Sequence, residues 1–227
     1  MIHINDLYGQ DHEIDLNNLG NQAFCMDCME LMKALPDKCF ELAIVDPPYG
    51  IGNFIPSNIS RKGKKASEKV TWNDETPSDE YFRQLMRVSK EQIIWGANYY
   101  NCFSKQGGAI VWNKGDANPI FSQCEIASLS FQKRVDYVSI NWQSGFYRAR
   151  FENIIHPCQK PAALYDWLYA KYAHKGDRIL DTHLGSQSSR IAAWQAGYNF
   201  LGCEIDKDYY EQGCQRYESY AAQYKLF

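Results

Sequence analysis

Residues 178–197 read RILDTHLGSQSSRIAAWQAG, and residues 199–206 continue with NFLGCEID. The stretch opens on a short strand-like run around Ile179 and Leu180. A loop with one glycine, Gly185, follows, and residues 188–196 then carry apolar and small side chains at helical spacing. Gly197 ends that helix, since glycine accepts the left-handed conformation of a helix terminus without strain, and residues 200–203 form a second strand stopping at Glu204. Strand, glycine loop, helix, strand and acidic residue make up half of a doubly wound α/β fold, in which ligands bind beyond the carboxyl ends of the strands. One position departs from the usual glycine-rich loop: Gln187 stands where a second glycine is expected. If that position needs a left-handed backbone, the strain is about 1 to 3 kcal/mol.

The chain before this unit supplies the other elements. Residues 21–26 predict a strand, followed by a turn or two of helix in which Met29, Met32 and Leu35 share a face until Pro36 and Asp37 end it. Residues 40–45, FELAIV, are apolar enough for a central strand buried on both faces. Thr76 is placed to cap a helix with Pro77 at its first position and Asp79 in its first turn, and Leu85, Met86 and Val88 give that helix an apolar side. Residues 92–95, 109–112, 126–131 and 135–142 read as strands, the last two as a hairpin. Lys160-Pro161 opens a helix to residue 173, along which Leu164, Trp167, Leu168 and Tyr172 repeat.

With 227 residues, 45% hydrophobic and 22% charged, the chain suits one compact domain, and no repeat, low-complexity tract or linker divides it. The N-terminal MIHINDLYGQDHEIDL lacks a basic stretch followed by an apolar one, and no run of about 18 apolar residues occurs, so a cytoplasmic protein without membrane association is the expectation. Eight cysteines in a chain of this size point to reduced thiols; CMDC at 25–28 has metal-like spacing but no partner pair, so no metal is expected. A net charge of −3 announces no nucleic-acid binder globally. Locally, residues 57–70, SNISRKGKKASEKV, gather Arg61, Lys62, Lys64, Lys65 and Lys69 against Glu68, and residues 51–72 are expected to form a mobile basic loop.

Directly after FELAIV stand Asp46, Pro47, Pro48, Tyr49 and Gly50. Two prolines fix the turn and contribute carbonyls without N–H groups, so the corner presents acceptors beside a flat aromatic face. Such a corner suits a planar ring bearing an NH2 group, with the ring on Tyr49 and the N–H bonds aimed at Asp46 and a Pro47 carbonyl. A base inside a duplex reaches it only by flipping out, at a cost of a few kcal/mol.

DPPYG at 46–50 resembles motif IV of the amino-methylating DNA methyltransferases, which methylate adenine N6 or cytosine N4 with S-adenosylmethionine. HPCQKP at 156–161 is similar to their motif X, DTHLGSQSS at 181–189 to motif I, and LGCEID at 201–206 to motif II; the order IV, X, I is that of the β-class. The resemblance implies a circularly permuted, Rossmann-like methyltransferase fold: α/β, doubly wound, with a mostly parallel central sheet and an antiparallel edge hairpin. Residues 1–227 would form one catalytic domain, with residues 143–155 as a reduced target-recognition insert carrying Arg148 and Arg150 beside double-stranded DNA.

Carried over by position, the catalytic corner would be Asp46, Pro47, Pro48 and Tyr49. The cofactor site would begin with Asp27 and Cys28, Asp27 accepting from the adenine amine. His156, Gln159, Lys160 and Pro161 would lie by the methionine end, with Lys160 offered to its carboxylate. Asp181, Thr182, His183, Leu184, Gly185, Ser186, Gln187, Ser188 and Ser189 would wrap the methionine part, while Glu204, followed by Ile205, would accept from the ribose hydroxyls. Asp46 in the first position of motif IV leans toward adenine N6, since cytosine N4 enzymes more often have serine there. The alternatives are a cytosine N4 enzyme and an inactive relative that only binds DNA. A dehydrogenase is disfavoured because GSQSSR lacks GxGxxG. Homodimers are common in the family, but neither a homodimer nor a restriction endonuclease partner is legible in the chain.

Overall fold

A computed structural model describes residues 1–52, 73–100, 102–115, 122–142 and 154–224. The basic loop lysines and arginine of residues 61–69, and Arg148 and Arg150, lie outside these described residues.

FELAIV forms β4 (Phe40–Val45) near the middle of the main sheet. Its alternating side chains go to two different cores: Ala43 and Val45 pack with Leu31, Met32, Leu85 and Val88, whereas Leu42 and Ile44 pack with Trp95, Trp112, Leu164 and Leu168. Burial on both faces is why the run shows no polar alternation. Its one charged residue, Glu41, sits at the strand's start and receives Arg178 by a backbone N–H at 2.9 Å and by Nε and Nη2 at 3.1 and 2.9 Å. This pairing ties β4 to β9 (Arg178–Asp181), the strand that opens the stretch at 178–197.

The remaining strands of the sheet are β3 (Asn21–Cys25), β5 (Ser89–Trp95), β6 (Gly108–Asn113), β7 (Cys124–Leu129), β8 (Val135–Ser139) and β10 (Asn199–Glu204), and the order is β3-β10-β9-β4-β5-β7-β6-β8. Strands from the end of the chain thus sit between strands from its beginning, as the permuted order implies. Every neighbouring pair is parallel except those involving β7. Because β7 runs against the others, its first residues lie at the edge where the parallel strands end: Glu125 pairs with Trp112 and Cys124 with Asn113. The antiparallel hairpin is therefore β6–β7. Residues 126–131 and 135–142 do not pair as expected, since β6 lies between β7 and β8 and runs parallel to β8.

Helices cover both faces. α1 (Cys28–Ala34) is capped by Asp27, whose carboxylate accepts from the Met29 N–H at 2.7 Å. α2 (Asp79–Val88) is capped by Ser78 rather than Thr76, so Pro77 precedes the cap instead of opening the helix. α3 (Ala162–Tyr172), α4 (Ser188–Gln195) and the C-terminal α5 (Lys207–Tyr224) complete the set. A separate antiparallel ribbon, β1 (Ile2–Asn5) with β2 (Asp11–Ile14), packs Ile4 and Ile14 onto the α1 side of the core. Among the described residues, no helix is long and apolar enough to cross a membrane.

Candidate active site

The carboxyl ends of the parallel strands meet at two adjoining corners. The first follows β4. Asp46 is half-buried there: its Oδ1 accepts from the Tyr49 hydroxyl at 2.7 Å, and its Oδ2 from the Lys160 ammonium at 2.5 Å. Lys160 also reaches Glu125 Oε2 at 3.0 Å and the Tyr49 hydroxyl at 3.2 Å, and Lys114 holds the other Glu125 oxygen at 3.2 Å. Burial pushes the Asp46 carboxyl up, against the opposing pull of Lys160. Burial also raises Glu125, but the ammonium groups of Lys160 and Lys114 outweigh it and bring Glu125 down to about 2. Glu125 is ionised at neutral pH as a result.

The tyrosine is held on several sides. Its backbone N–H donates to Asn73 Oδ1 at 2.9 Å, and its ring stacks on Tyr99 with centroids 4.8 Å apart and planes 17° from parallel. Gly96, with φ +75°, passes so close that a Cβ there would lie 2.3 Å from the Tyr49 ring, so only glycine allows this approach. Tyr100 donates its hydroxyl to the Pro47 and Pro48 carbonyls at 2.5 and 3.0 Å. The carbonyls that the sequence offers to a ligand amine thus already share one donor, and each keeps a lone pair open.

The second corner lies between β9, β10 and β3. Glu204 ends β10; its Oε2 accepts from the Gly185 N–H at 2.8 Å and its Oε1 from the Asp206 N–H at 2.9 Å. Met26, just past β3, donates to the Glu204 carbonyl at 2.9 Å, which brings Asp27 and Cys28 alongside. Burial raises Glu204, and it raises the Cys28 thiol to about 12. Asp181 ends β9 almost fully buried; burial pushes it up to about 7, while the Ser189 hydroxyl and the His183 N–H, both bonded to its carboxylate, act against that rise. Burial lowers the His183 imidazole to about 4, so it is neutral at physiological pH.

Gln187 is the N-cap of α4 at φ 60° and ψ 25°, the conformation its missing glycine would have supplied. Its side chain points away from the loop toward α5: the amide donates to the Tyr210 carbonyl at 3.2 Å, accepts from Arg190 at 2.9 Å, and rests where a Cβ on Gly213 would collide at 2.7 Å. The neighbouring serines are also turned inward. Ser186 and Ser188 share a hydroxyl contact at 3.1 Å, Arg216 donates to the Ser188 hydroxyl and the Ser186 carbonyl at 3.0 and 2.6 Å, and Ser189 serves Asp181. Thr182 bonds the Tyr81 hydroxyl at 2.7 Å, and Leu184 packs against Gly202. These side chains shape the loop, and what it turns outward is backbone.

The structure brings the sequence candidates of both corners together and gives several of them protein partners. Lys160 is directed at Asp46 and Glu125. Gln159 is buried and structural, its side chain accepting from the Ile155 N–H at 3.1 Å and its carbonyl from the Trp142 indole at 2.6 Å. Pro161 serves as the N-cap position of α3. His156 lies by the glycine loop, 3.5 Å from where a Gly185 Cβ would stand, with its ring edge-on to Tyr209. Ile205 is 54% exposed beside Glu204, an apolar surface at the rim. Sequence reasoning missed Glu125, Lys114, Asn73, Tyr99 and Tyr100. A carboxylate opening the apolar run CEIASL was the available signal for Glu125.

Residues 128–215 match the family described as DNA methylase. The DNA adenine methyltransferase YhdJ of Escherichia coli is 35% identical over 246 aligned positions covering 87% of this chain and 83% of that protein. The type II methyltransferase M.ScaI of Streptomyces caespitosus is 23% identical, covering 86% of this chain and 80% of that protein. In fold, the chain is similar to the PvuII DNA methyltransferase (cytosine-N4-specific), with a TM-score of 0.58 at 12% identity over 91% of this chain and 92% of that one. It is also similar to M1.HpyAVI, solved as a SAM complex, with a TM-score of 0.51 at 19% identity over 86% and 98%. A strand-end DPPY corner, a glycine loop beside an acidic strand end and this extent of likeness lead to one assignment: the chain belongs to the amino DNA methyltransferase family.

Proposed function

We propose that this chain, as a single catalytic domain, transfers a methyl group from S-adenosylmethionine to the exocyclic N6 amine of adenine in DNA. The observation that carries the reading is the contiguity of two acceptor corners at one sheet edge: Asp46 at the end of β4, and Asp181 with Glu204 at the ends of β9 and β10. The second corner fits the cofactor's chemistry. Ribose hydroxyls, an adenine amine and a methionine ammonium are donors, and Glu204, Asp27 and Asp181 are acceptors whose known bonds leave lone pairs open. The uncapped start of α4, where no side chain bonds the first N–H groups, suits a carboxylate.

When bound, the cofactor supplies an electrophilic methyl group, so no protein nucleophile is required. The chain's part is to bind, orient and exclude water. Asp46 accepts an N–H of the target amine while Lys160 and Tyr49 fix its carboxylate in place. Stacking of the base on the Tyr49 face covered by Tyr99 requires that ring to move aside; it is 39% exposed on the turn after Gly96. Arg61, Lys62, Lys64, Lys65 and Lys69, with Arg148 and Arg150, supply phosphate contacts on this reading.

The N6 choice draws on Asp46 in the first position of motif IV and on the 35% identity to a DNA adenine methyltransferase. The test is incubation with unmethylated DNA and methyl-labelled S-adenosylmethionine, followed by nucleoside analysis. Label in N6-methyl-2′-deoxyadenosine is expected. Label in N4-methylcytosine would overturn the base assignment, and failure to bind the cofactor in calorimetry would overturn the enzymatic reading.

A further inference from the structure

We propose that Glu125 is a positioning residue for methyl transfer: by sharing the Lys160 ammonium with Asp46, it leaves a local excess of negative charge facing the amine nitrogen. The inference rests on the methyltransferase reading and deepens it at the same corner.

Lys160 is nearly fully buried, with its side chain 4% exposed, and its ammonium touches two carboxylates from different parts of the chain, at 2.5 and 3.0 Å. The Tyr49 hydroxyl closes the triangle, 2.7 Å from Asp46 and 3.2 Å from Glu125. Asp46 and Lys160 alone would be a neutral pair. A neutral pair does little for an amine nitrogen that acquires positive charge as it gains a methyl group, and an uncompensated ammonium beside that nitrogen would oppose the reaction. Adding Glu125 brings the inner trio to one net negative charge. Lys114, 3.2 Å from the other Glu125 oxygen, makes the four groups together neutral, so the negative charge is a local excess at the Asp46 end, where one ammonium is shared by two carboxylates. This accounts for an ionised carboxylate on β7, the strand of the described main sheet whose reversed direction carries its first residues to the reactive edge.

Among the described residues, the other titratable groups around Asp46 do not supply that charge. Tyr49, Tyr100 from the turn after β5 and Tyr165 from α3 are all raised by burial, and so are neutral at physiological pH; Asp181, from β9, is itself pushed up to about 7 by burial. Among the described residues, Lys160 and Lys114 are the cations in the group.

The test is the isosteric Glu125→Gln, with Glu125→Asp as the conservative partner. Under single-turnover conditions with cofactor and DNA saturating, Glu125→Gln is expected to slow methyl transfer by about 10- to 100-fold while both dissociation constants stay within about twofold. Loss of a neighbouring negative charge makes Asp46 easier to ionise, so the acid limb of the rate profile should move to lower pH. Carbon-detected NMR titration of Asp46 in the cofactor-free protein should show the same downward shift, a readout independent of activity. Glu125→Asp should restore part of the rate and of the shift, and it serves alone if the glutamine variant does not fold. An unchanged single-turnover rate, or a slower rate with an unmoved Asp46 titration, would overturn the proposal. A wild-type protein that transfers no methyl group would instead defeat the enzymatic reading, and the NMR titration would still decide whether Glu125 tunes Asp46.

Discussion

Replacing Gln187 with glycine should weaken the fold and leave cofactor affinity almost unchanged, the reverse of what repair of a defective glycine loop would do. At φ 60° the residue already occupies the left-handed region, at a cost of about 1 to 2 kcal/mol for a residue with a Cβ. That strain is present before any ligand arrives, so it burdens folding and not binding. Against its relief stand three contacts of the side chain: a neutral bond to the Tyr210 carbonyl at 3.2 Å, a charge-assisted one from Arg190 at 2.9 Å, and a weak one to the Cys214 sulfur at 3.3 Å. The first two contribute about 0.5 to 1.5 and about 1.5 to 3 kcal/mol respectively. Glycine also adds freedom to the unfolded chain, about 0.5 to 1 kcal/mol. The balance is a loss of roughly 2 kcal/mol, or about 4 to 8 °C in Tm for a chain of this size. Arg190 is not stranded, because Asn21 at 2.7 Å and the Tyr217 ring at 3.9 Å still hold it. Gln187→Ala keeps the strain and loses the bonds, so it should be about 1 kcal/mol worse than glycine. Urea unfolding of both variants, with calorimetric titration of S-adenosylmethionine, checks this. A glycine variant as stable as the parent, or one whose affinity changes tenfold, would refute the argument.

Asp46→Ala should reduce transfer at least about 100-fold while cofactor binding persists, because Lys160 keeps Glu125 as its counter-ion; unaltered turnover would remove Asp46 from the mechanism. Asp181 is largely neutral below its raised value of about 7, so a cofactor ammonium gains a charged partner only as pH rises through that value. Affinity should therefore increase about fivefold from pH 6 to 7, stability of the unliganded protein should fall over the range from the ordinary carboxylate value to 7, and Asp181→Asn should flatten both in calorimetric and thermal titrations. Neutralising Lys62, Lys64 and Lys65 together should reduce the slope of log affinity against log salt for DNA by about 3, and an unaltered slope would take the loop out of DNA contact.

The strands and helices with strong local signals were legible, and so was the corner after FELAIV, because prolines and a buried apolar run act over a few residues. What local patterns cannot reveal is which strand lies beside which. The hairpin was assigned to residues 126–131 and 135–142 because they are close in sequence; the β6 backbone intervenes because it bonds β7 on one edge and β8 on the other. The cap at Ser78 was missed for a smaller reason: Thr76 followed by proline is an equally good local signal, and only the bond to the Tyr81 N–H chooses between them.

The same distinction explains the site. Serines at a helix start read as ligand contacts, yet Arg216 from α5 and Asp181 from β9 claim their hydroxyls from far along the chain. The resemblance set Lys160 by the methionine end of the cofactor, and what the chain's local pattern did not reveal is its bond to Asp46, 114 residues away. Glu125 was cut from the strand it begins, since a charge at the end of an apolar run looks like a boundary. In each case residue chemistry was legible and partnership was not, because partnership is set by strand order and direction. Buried charges constrain that order strongly: an ammonium with no carboxylate in reach would cost several kcal/mol. A lysine that the fold buries is thus evidence that a distant carboxylate arrives beside it, and here the reversed strand brings in the second one.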